Sequence, residues 1–355
     1  MSSININSVT KEFGDLTAVN DVSYTINDDE FFVIVGPSGC GKSTSLRLIA
    51  GFETPTRGSI SLKGEPIDHL KPEDRDIRMV FQDYALFPHM SVGDNITFGL
   101  KMNNVDPDTH ESRVADVLDL VGLSDIEESY PETLSGGQQQ RIALARALVL
   151  EPNVLLLDEP LSNLDKNLRD RMQVELKRIQ DETGVTAIHV THNQEEALSL
   201  ADRVCVMNDG VIEQIGPPEE VYYRPQNRFV AEFLGDSNTF SATVLGSDAG
   251  ATVLGVADSS TRITSDATPS GGDTQTVFFR PEHVRVAERV SEEDPNTFDA
   301  TVASRLFTGD KIKYQVDLAE GAEDNGLTFT AFSDSQWKTG QSVRVQVPQE
   351  HVLLL

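Results

Sequence analysis

A glycine-rich segment that could hold phosphate groups follows the apolar run Phe31–Val35. It fits the pattern G-x-x-x-x-G-K-[ST] and precedes residues with helical apolar spacing. Glycines let backbone N–H groups converge on phosphate oxygens, and the N-terminus of the next helix adds the positive end of its dipole. Lys42 can reach the β- and γ-phosphates, and the Ser43 hydroxyl can bind Mg²⁺. The segment predicts a nucleoside triphosphate site that comprises Gly36, Pro37, Ser38, Gly39, Cys40, Gly41, Lys42, Ser43 and Thr44.

Two consecutive carboxylates end a second apolar run. Asp158 and Glu159 follow Leu155–Leu157 directly. In proteins with such a phosphate-binding loop, an Asp at this place binds Mg²⁺. Successive side chains of a strand point to opposite sides, so Glu159 could polarise the attacking water as general base. An ordinary strand followed by an acidic loop is the alternative, which the phosphate-binding loop upstream disfavours.

Apolar runs of strand length alternate with turns and helix patterns in the N-terminal part of the chain. They are Phe31–Val35, Val154–Leu157, Val185–Val190 and Arg203–Met207. This alternation predicts an α/β domain over residues 1–235, with a mostly parallel sheet and helices on both faces. Helical spacing at about residues 90–150 predicts a helical subdomain inserted between the first two runs.

The composition changes after about Gly235, where Gly, Ser, Thr and Asp become frequent and short β-favouring runs dominate. Such runs, separated by turn residues, are typical of a small antiparallel barrel or sandwich. We therefore expect an all-β domain over residues 236–355. Its clearest strand-like runs are Thr276–Phe279, His283–Val286, Lys311–Val316 and Ser342–Val347.

The chain is strongly acidic, with 29 Lys and Arg residues against 57 Asp and Glu residues, a formal net charge of −28. Nucleic-acid binding needs clustered Lys and Arg, so no nucleic-acid partner is expected. The acidic residues are spread along the sequence. We hypothesise adaptation to a high-salt cytoplasm, where dissolved ions screen the repulsion between carboxylates. The alternative is an ordinary acidic protein.

Neither a membrane-spanning segment nor a secretory leader is expected from the sequence. No run approaches the ~20 apolar residues that a membrane helix needs, and the first residues lack a basic region followed by an apolar run. Cys40 and Cys205 are far apart and have no metal-ligand spacing, which favours two reduced thiols in a cytoplasmic protein.

The segment Leu134-Ser135-Gly136-Gly137-Gln138, between the phosphate-binding loop and the two carboxylates, resembles the signature of ABC ATPases. The resemblance covers residues 1–235 and implies a P-loop NTPase domain that hydrolyses ATP with Mg²⁺. A Ser-Gly-Gly turn before a helix can clamp a phosphate through its N–H groups and the Ser hydroxyl. A simple helix cap is the alternative for this segment.

Further positions match the family residue by residue. Phe13 stands where the family places an aromatic side chain that stacks on adenine, with a core residue as the alternative. Gln82 resembles the glutamine that senses Mg²⁺ and the attacking water. Asp165, in Ser162–Asp165, resembles the loop that crosses to a partner subunit, and His192 resembles the histidine that contacts the γ-phosphate.

The resemblance implies a twofold dimer in which each ATP lies between two subunits. Lys42 of one copy would bind the phosphates on one side, and Ser135, Gly136, Gly137 and Gln138 of the other copy would bind them on the opposite side. All expected catalytic side chains are present: Lys42, Gln82, Glu159 and His192. The chain is therefore expected to be an active ATP hydrolase. A homodimer and a heterodimer with a paralogous ATPase both remain open.

Two regions indicate an importer. Tyr84–Met90 resembles the importer segment that receives a helix of a membrane permease, with packing inside the helical subdomain as the alternative. Phe279–Val284 resembles the OB-like C-terminal domain of importers for sugars, polyamines, ferric ion and oxyanions. Phe233–Asn238 and Gln138–Arg141 are closer to polyamine or ferric ion importers than to the maltose type. We expect uptake of a solute, such as a polyamine, from an extracytoplasmic solute-binding protein, with this subunit at the cytoplasmic face.

Two other classes of ABC ATPase compete with this interpretation. A soluble, non-transport ABC ATPase predicts tandem cassettes or a long coiled coil and a basic surface, whereas this chain has one phosphate-binding loop and a net charge of −28. An exporter ATPase is often fused to a membrane domain and lacks a barrel-like tail. The solute pocket of an importer lies in other subunits, so this sequence leaves the solute open.

Overall fold

The structure, a computed structural model, describes residues 2–248, 250–256, 261–269, 272–287, 295–309, 311–318, 328–334 and 336–355. It forms two compact units, Met1–Pro218 and Glu219–Leu355. The sequence-based division after residue 235 differs from this boundary in the assignment of two short helices, Pro218–Tyr223 and Arg228–Phe233, and stays a prediction.

The first unit contains a four-stranded antiparallel sheet and a six-stranded, mostly parallel sheet. The strands in chain order are β1 (Ser2–Phe13), β2 (Leu16–Asn27), β3 (Phe31–Val35), β4 (Arg57–Leu62), β5 (Glu65–Pro66), β6 (Ile77–Val80), β7 (Val154–Asp158), β8 (Thr186–Thr191), β9 (Arg203–Asn208) and β10 (Val211–Gly216). The antiparallel sheet has the order β2-β1-β4-β5, and the larger sheet has the order β10-β9-β3-β8-β7-β6. Within the larger sheet, the edge strand β10 runs antiparallel to β9.

The helices of the first unit are α1 (Lys42–Ala50), α2 (Val92–Met102), α3 (His110–Leu120), α4 (Gly136–Leu148), α5 (Lys166–Thr183) and α6 (Gln194–Leu200). Helices α2, α3 and α4 contact one another and lie in the region that the sequence predicts to be helical. Helix α1 is flanked by Gly41 and Gly51, both of which have positive φ. Glycine adopts this left-handed backbone without a side-chain clash, so both helix ends are fixed locally.

Short, fully buried strands form the centre of the larger sheet. Strands β3 and β8 are buried at every residue, and β7 is buried up to its last residue. Burial on both faces explains why these strands are continuous apolar runs rather than alternating ones. The predicted α/β fold is thus confirmed. Because β3, β7 and β8 are parallel neighbours, the loops after their carboxyl ends meet at one edge of the sheet.

The second unit is all-β apart from the helices α7 (Pro218–Tyr223) and α8 (Arg228–Phe233) and short 3₁₀ turns, as far as the structure describes it. Its strands are β11 (Asn238–Asp248), β12 (Ala251–Val256), β13 (Arg262–Ser265), β14 (Thr274–Phe279), β15 (Arg285–Ala287), β16 (Thr297–Phe307), β17 (Ile312–Leu318), β18 (Thr328–Ser333), β19 (Ser342–Gln346) and β20 (Leu353–Leu354). They form two five-stranded sheets, β13-β12-β11-β14-β20 and β15-β19-β16-β17-β18. One apolar core contains residues of both sheets, including Leu254, Val277, Tyr314 and Phe329. This agrees with the predicted OB-like domain.

One predicted strand of this unit needs correction. The run His283–Val286 does not begin a strand, because Pro281–His283 forms a 3₁₀ turn and β15 begins at Arg285. Proline fixes its own φ and has no N–H to donate, which favours such a turn over sheet pairing. The other three predicted runs coincide with β14, β17 and β19 within a few residues.

None of the helices in the described ranges has both the length and the apolar composition needed to cross a bilayer.

Candidate active site

The phosphate-binding loop lies between β3 and α1, and two of its glycines allow close backbone packing. A Cβ atom on Gly36 would lie 2.1 Å from the carbonyl oxygen of Met207, and one on Gly41 would lie 2.3 Å from that of Ala18. Gly41 also has a φ of 103°, which other residues rarely adopt. Substitution at either position would therefore move the loop that presents its N–H groups at the start of α1.

Lys42 is buried and its ammonium group is already bound within the loop. Its Nζ donates to the carbonyl oxygens of Gly36 and Pro37, both at 2.8 Å. It also lies 3.8 Å from the Cys40 sulfur. Burial raises the pKa of the Cys40 thiol, although the neighbouring Lys42 charge lowers it, so the thiol stays protonated at neutral pH. Cys40 and Cys205 are both buried and free.

Ser43 and Asp158 meet across the sheet edge, with 3.4 Å between the Ser43 hydroxyl and an Asp158 carboxylate oxygen. Burial raises the pKa of the Asp158 carboxyl, the hydrogen bond from Ser43 lowers it, and the charge of Glu159 raises it, with a net rise. A bound cation would oppose this rise, since a positive charge favours the carboxylate. A hydroxyl and a carboxylate are hard oxygen ligands of the kind that bind Mg²⁺ together with phosphates. These residues therefore fit the predicted Mg²⁺ site.

The predicted general base and the predicted phosphate-contacting histidine are in direct contact. His192 Nδ1 lies 3.0 Å from Glu159 Oε2, because β7 and β8 are adjacent and parallel. The Glu159 backbone has a φ of 45°, and its N–H donates to the carbonyl of Val190 at 3.0 Å. A left-handed non-glycine residue is strained, and such residues concentrate at functional sites. The strand ends hold this strained turn so that both side chains face the same edge.

The signature segment forms the N-terminus of α4. Ser135 is the N-cap, and its hydroxyl accepts from the N–H of Gln138 at 3.4 Å. The Gln138 side-chain oxygen in turn accepts from the N–H of Ser135 at 3.0 Å and from its hydroxyl at 3.1 Å. This reciprocal pattern is a capping box. The helix cap considered from the sequence is therefore present, and the same donors are the ones that a phosphate clamp requires.

No hydrogen bond between described residues joins Ser135 or Gln138 to Lys42 or Ser43 of the same chain. The structure thus brings together the phosphate-binding loop, the two carboxylates and His192, but not the signature.

The remaining predicted residues have different environments. Gln82 is exposed, and its carbonyl accepts from the side chain of Asn163 at 3.1 Å. Asp165 caps α5 by accepting from the N–H of Leu168 at 3.1 Å. Phe13, at the end of β1, is 45% exposed, which contradicts the core alternative, and the Lys11 ammonium lies 4.7 Å from the centre of its ring. The sequence does not predict the contact of Asn163 with Gln82, because a contact between two loops leaves no periodic signal in the sequence.

Known families and import proteins resemble this chain in sequence. The family model described as ABC transporter matches residues 19–162, and the one described as TOBE domain matches residues 277–355. The spermidine/putrescine import ATP-binding protein of Roseobacter denitrificans is 45% identical over 322 residues, 90% of this chain and 88% of the relative. The xylose/arabinose import ATP-binding protein of Haloferax volcanii is 43% identical over 365 residues, 100% and 93% of the two chains.

Two solved structures each match about three fifths of the chain. The structure of cbiO1 from Clostridium perfringens has a TM-score of 0.59 and 31% identity, and covers 62% of this chain and 90% of its own. A dimeric ATP-binding cassette in a post-hydrolysis state, bound to ADP and Pi, has a TM-score of 0.53 and 29% identity. The match covers 61% of this chain and 98% of the chain of that structure. Together with the site geometry, these similarities show that the chain belongs to the ABC transporter family, as an importer-type ATP-binding subunit that couples ATP hydrolysis to transport.

Proposed function

We propose that two copies of this chain hydrolyse Mg²⁺-ATP between them to energise solute uptake through a membrane permease. The observation that carries the proposal is the division of the site. Glu159, His192, Ser43 and Asp158 converge at one sheet edge, whereas the donors of Ser135 belong to the start of α4 and make no hydrogen bond to that edge. A second copy would supply them.

Each side chain then has one task in hydrolysis. Lys42 and the loop N–H groups bind the phosphates, while Ser43 and Asp158 would hold Mg²⁺, which neutralises charge on the phosphate oxygens. Glu159 accepts the proton of the attacking water, and His192 fixes the Glu159 carboxylate through their 3.0 Å contact. Gln82, whose carbonyl accepts from the Asn163 side chain, would sense Mg²⁺ and the attacking water.

Substitution of the general base tests this assignment. Glu159→Gln should lower kcat by about 10²- to 10⁴-fold, because the amide accepts no proton, while ATP binding persists. Glu195→Gln is the matched control, since Glu195 is an exposed carboxylate in the first turn of α6. Both variants are assayed by phosphate release, and mass is measured by light scattering with and without Mg²⁺-ATP. A Glu159→Gln variant with normal turnover would exclude this base.

The same mass measurement tests the dimer. We expect the Glu159→Gln chain to become a homodimer when Mg²⁺-ATP is added, because ATP bound between two copies stabilises their association. A chain that stays monomeric alone but associates with a paralogous ATPase would indicate a heterodimer instead.

The contact with the permease is proposed at Tyr84–Met90. Pro88 and His89 are exposed, and Leu86 and Phe87 are half-buried, whereas Tyr84 is buried in the unit. An apolar surface of this kind fits a helix of a partner subunit. Leu86→Asp should reduce co-purification with the permease. Leu16→Asp, at an apolar residue that is 66% exposed elsewhere, is the control and should leave it unchanged. Equal retention of both variants would place the contact elsewhere.

A polyamine is the solute we propose first, because import proteins for spermidine and putrescine are about 45% identical to this chain. A sugar is the second candidate, since the xylose/arabinose relative matches the full chain at 43% identity. The complex in proteoliposomes, supplied with its solute-binding protein, should show ATPase stimulation by spermidine or putrescine. Stimulation by xylose, ferric ion or an oxyanion instead would reassign the solute. In this scheme the subunit lies on the cytoplasmic face, held by the permease.

Adaptation to high salt is proposed from the net charge of −28. Concentrated salt screens repulsion between surface carboxylates to within about 3 Å at 1 M. The melting temperature should therefore rise between dilute buffer and molar KCl. An unchanged melting temperature would indicate an ordinary acidic protein.

A further inference from the structure

A single side chain connects the last turn of α4 to the loop between β6 and α2. The Arg146 guanidinium donates to the carbonyl oxygen of Tyr84 at 2.9 Å and to that of Ala85 at 2.7 Å. It also lies 5.6 Å from the centre of the Phe87 ring, at cation–π distance. One guanidinium thus contacts three residues of the segment Tyr84–Met90.

The two carbonyls that Arg146 binds belong to strained backbone. Tyr84 has a φ of 62° and Ala85 a φ of 45°, so two consecutive non-glycine residues are left-handed. L-residues disfavour this conformation, and it persists only where surrounding contacts enforce it. Charge-assisted hydrogen bonds from a planar guanidinium to two adjacent carbonyls provide such contacts.

The far half of the segment is fixed separately, on α2. The Asn95 side chain is fully buried, accepts from the N–H of Phe87 at 2.8 Å and donates to the carbonyl of Ser91 at 2.9 Å. The segment is therefore attached to α2 at one end and to α4, through Arg146, at the other. Arg146 is half-buried; burial lowers its pKa, and the charge of Asp83 acts in the opposite direction.

Helix α4 also carries the signature at its opposite end. Its 13 residues span about 20 Å from the Ser135 cap, and Arg146 lies in the last turn. A helix of this length moves as a rigid body, so a displacement at the Ser135 end reaches Arg146. The guanidinium would pass it to the backbone of Tyr84 and Ala85 without an intervening flexible segment.

We infer that Arg146 is a positioning residue that transmits the movement of α4, driven by ATP at Ser135–Gln138, to the permease-contacting segment Tyr84–Met90. This inference rests on the proposed function, since it presumes ATP between two copies and a permease at that segment. The Arg146 guanidinium would then be the mechanical connection between the ATP at Ser135–Gln138 and the permease.

The test uses the complete complex in proteoliposomes with Mg²⁺-ATP and the solute that stimulates wild-type ATPase. In Arg146→Gln, we expect solute-stimulated kcat to fall about 2- to 30-fold, the range for substitutions that alter coupling. The KM for ATP and the unstimulated rate should stay within about twofold, because the guanidinium donates to Tyr84 and Ala85 and not to the phosphate-binding loop in the described residues. Arg146→Lys should recover part of the stimulation, since an ammonium can donate to the carbonyls but lacks the fork.

Arg141→Gln is the matched control. Arg141 lies on the same helix and donates to the carbonyl of Val121 at 3.3 Å, away from the segment Tyr84–Met90. Its substitution should leave stimulation unchanged. Equal loss in both variants would mean that any arginine change in α4 acts by destabilising the helix, and would overturn the inference.

A second-site variant separates transmission from simple support of the strained backbone. Ala85→Gly tolerates positive φ and should restore thermal stability in the Arg146→Gln background, but not stimulation. Restored stimulation would show that Arg146 only holds the loop in shape, and would refute transmission. Full stimulation in Arg146→Gln would refute the inference alone. A wild-type complex without solute-stimulated ATPase would refute the proposed function and the inference with it.

Discussion

Arg280 is the largest fully buried side chain of the chain's described residues, and its removal should unfold the second unit at much lower denaturant. Its guanidinium donates to the carbonyl of Tyr222 through two nitrogens, at 3.1 and 2.8 Å. It also donates to the carbonyls of Ala231 at 3.0 Å and Asp236 at 2.9 Å. The charge lies 3.9 Å from the centre of the Tyr222 ring and 4.9 Å from that of Phe278. These contacts join α7, α8 and β14.

The expected loss follows from what Arg280→Met leaves behind. Methionine fills much of the volume but donates no hydrogen bond, so four carbonyls, those of Tyr222, Ala231, Gly235 and Asp236, lose this donor. Each unsatisfied buried group costs about 1–3 kcal/mol, and the relief of no longer burying a charge offsets part of the sum. We expect the free energy of unfolding of the second unit to fall by about 3–5 kcal/mol, because the loss at four carbonyls outweighs that relief even near the lower end of the range per group.

The single tryptophan, Trp337, reports on this unit alone. It packs against the core of the two five-stranded sheets, so its fluorescence follows their unfolding in the full-length chain. With a urea dependence of about 2 kcal/mol per molar, the midpoint should fall by about 1.5–2.5 M. Arg280→Lys should lose most of the same stability, because an ammonium cannot reach all four carbonyls.

Arg285→Met is the control, since Arg285 is an exposed residue of β15. Its midpoint should change by no more than the equivalent of about 0.5 kcal/mol. If Arg280→Met also shifts the midpoint by less than that, the guanidinium contributes nothing net to stability, and the reasoning from unsatisfied carbonyls is refuted.

Three further predictions concern the first unit. Gln140→Met should raise the free energy of unfolding by about 1–3 kcal/mol in urea titrations, because both amide atoms of Gln140 are buried without a hydrogen-bond partner; a loss would contradict this. Burial raises the pKa of Glu196, but hydrogen bonds from His189 and Thr191 outweigh burial and lower the pKa. Its carboxylate therefore stabilises the fold above the unfolded pKa, and this stabilisation is lost as pH falls below about 4.5. Glu196→Gln should therefore show a shallower loss of stability between pH 5 and 3, and an unchanged slope would oppose this. Ser135→Ala should cost about 1 kcal/mol through loss of the N-cap and also lower ATPase kcat, and a change in stability alone would limit Ser135 to capping.

Local patterns were sufficient for the central sheet and for the catalytic edge. Strands β3 and β7 are apolar runs because they are buried on both faces, and the chemistry-bearing residues follow them directly in sequence. Parallel pairing then brings Ser43 to Asp158 and Glu159 to His192. A motif and its neighbouring strand therefore predict both the fold and the site when the site lies at strand ends.

Contacts between distant loops could not be predicted in this way. Arg146 and Arg280 bind backbone carbonyls about 45 to 60 residues away. Because every residue has a backbone carbonyl, the residue types in a sequence do not indicate which carbonyl is bound. The N-terminal sheet also escaped prediction, because β1 contains several irregularities in its pairing with β2. Such bulges interrupt the alternation of buried and exposed residues on which strand prediction depends.

The capping box at the start of α4 has a consequence for the lifetime of the proposed dimer. The Gln138 side-chain oxygen accepts from the N–H and the hydroxyl of Ser135, which are the same groups that a phosphate would use. An incoming phosphate must displace Gln138, losing about 1 kcal/mol per neutral hydrogen bond before gaining stronger charge-assisted ones. In the proposed dimer, Gln138 would therefore compete with the phosphate for these groups and keep them occupied between encounters. Such competition would weaken the closed dimer and so favour its reopening. An ATPase dimer that closes on ATP and opens after hydrolysis needs such a reopening step in every cycle.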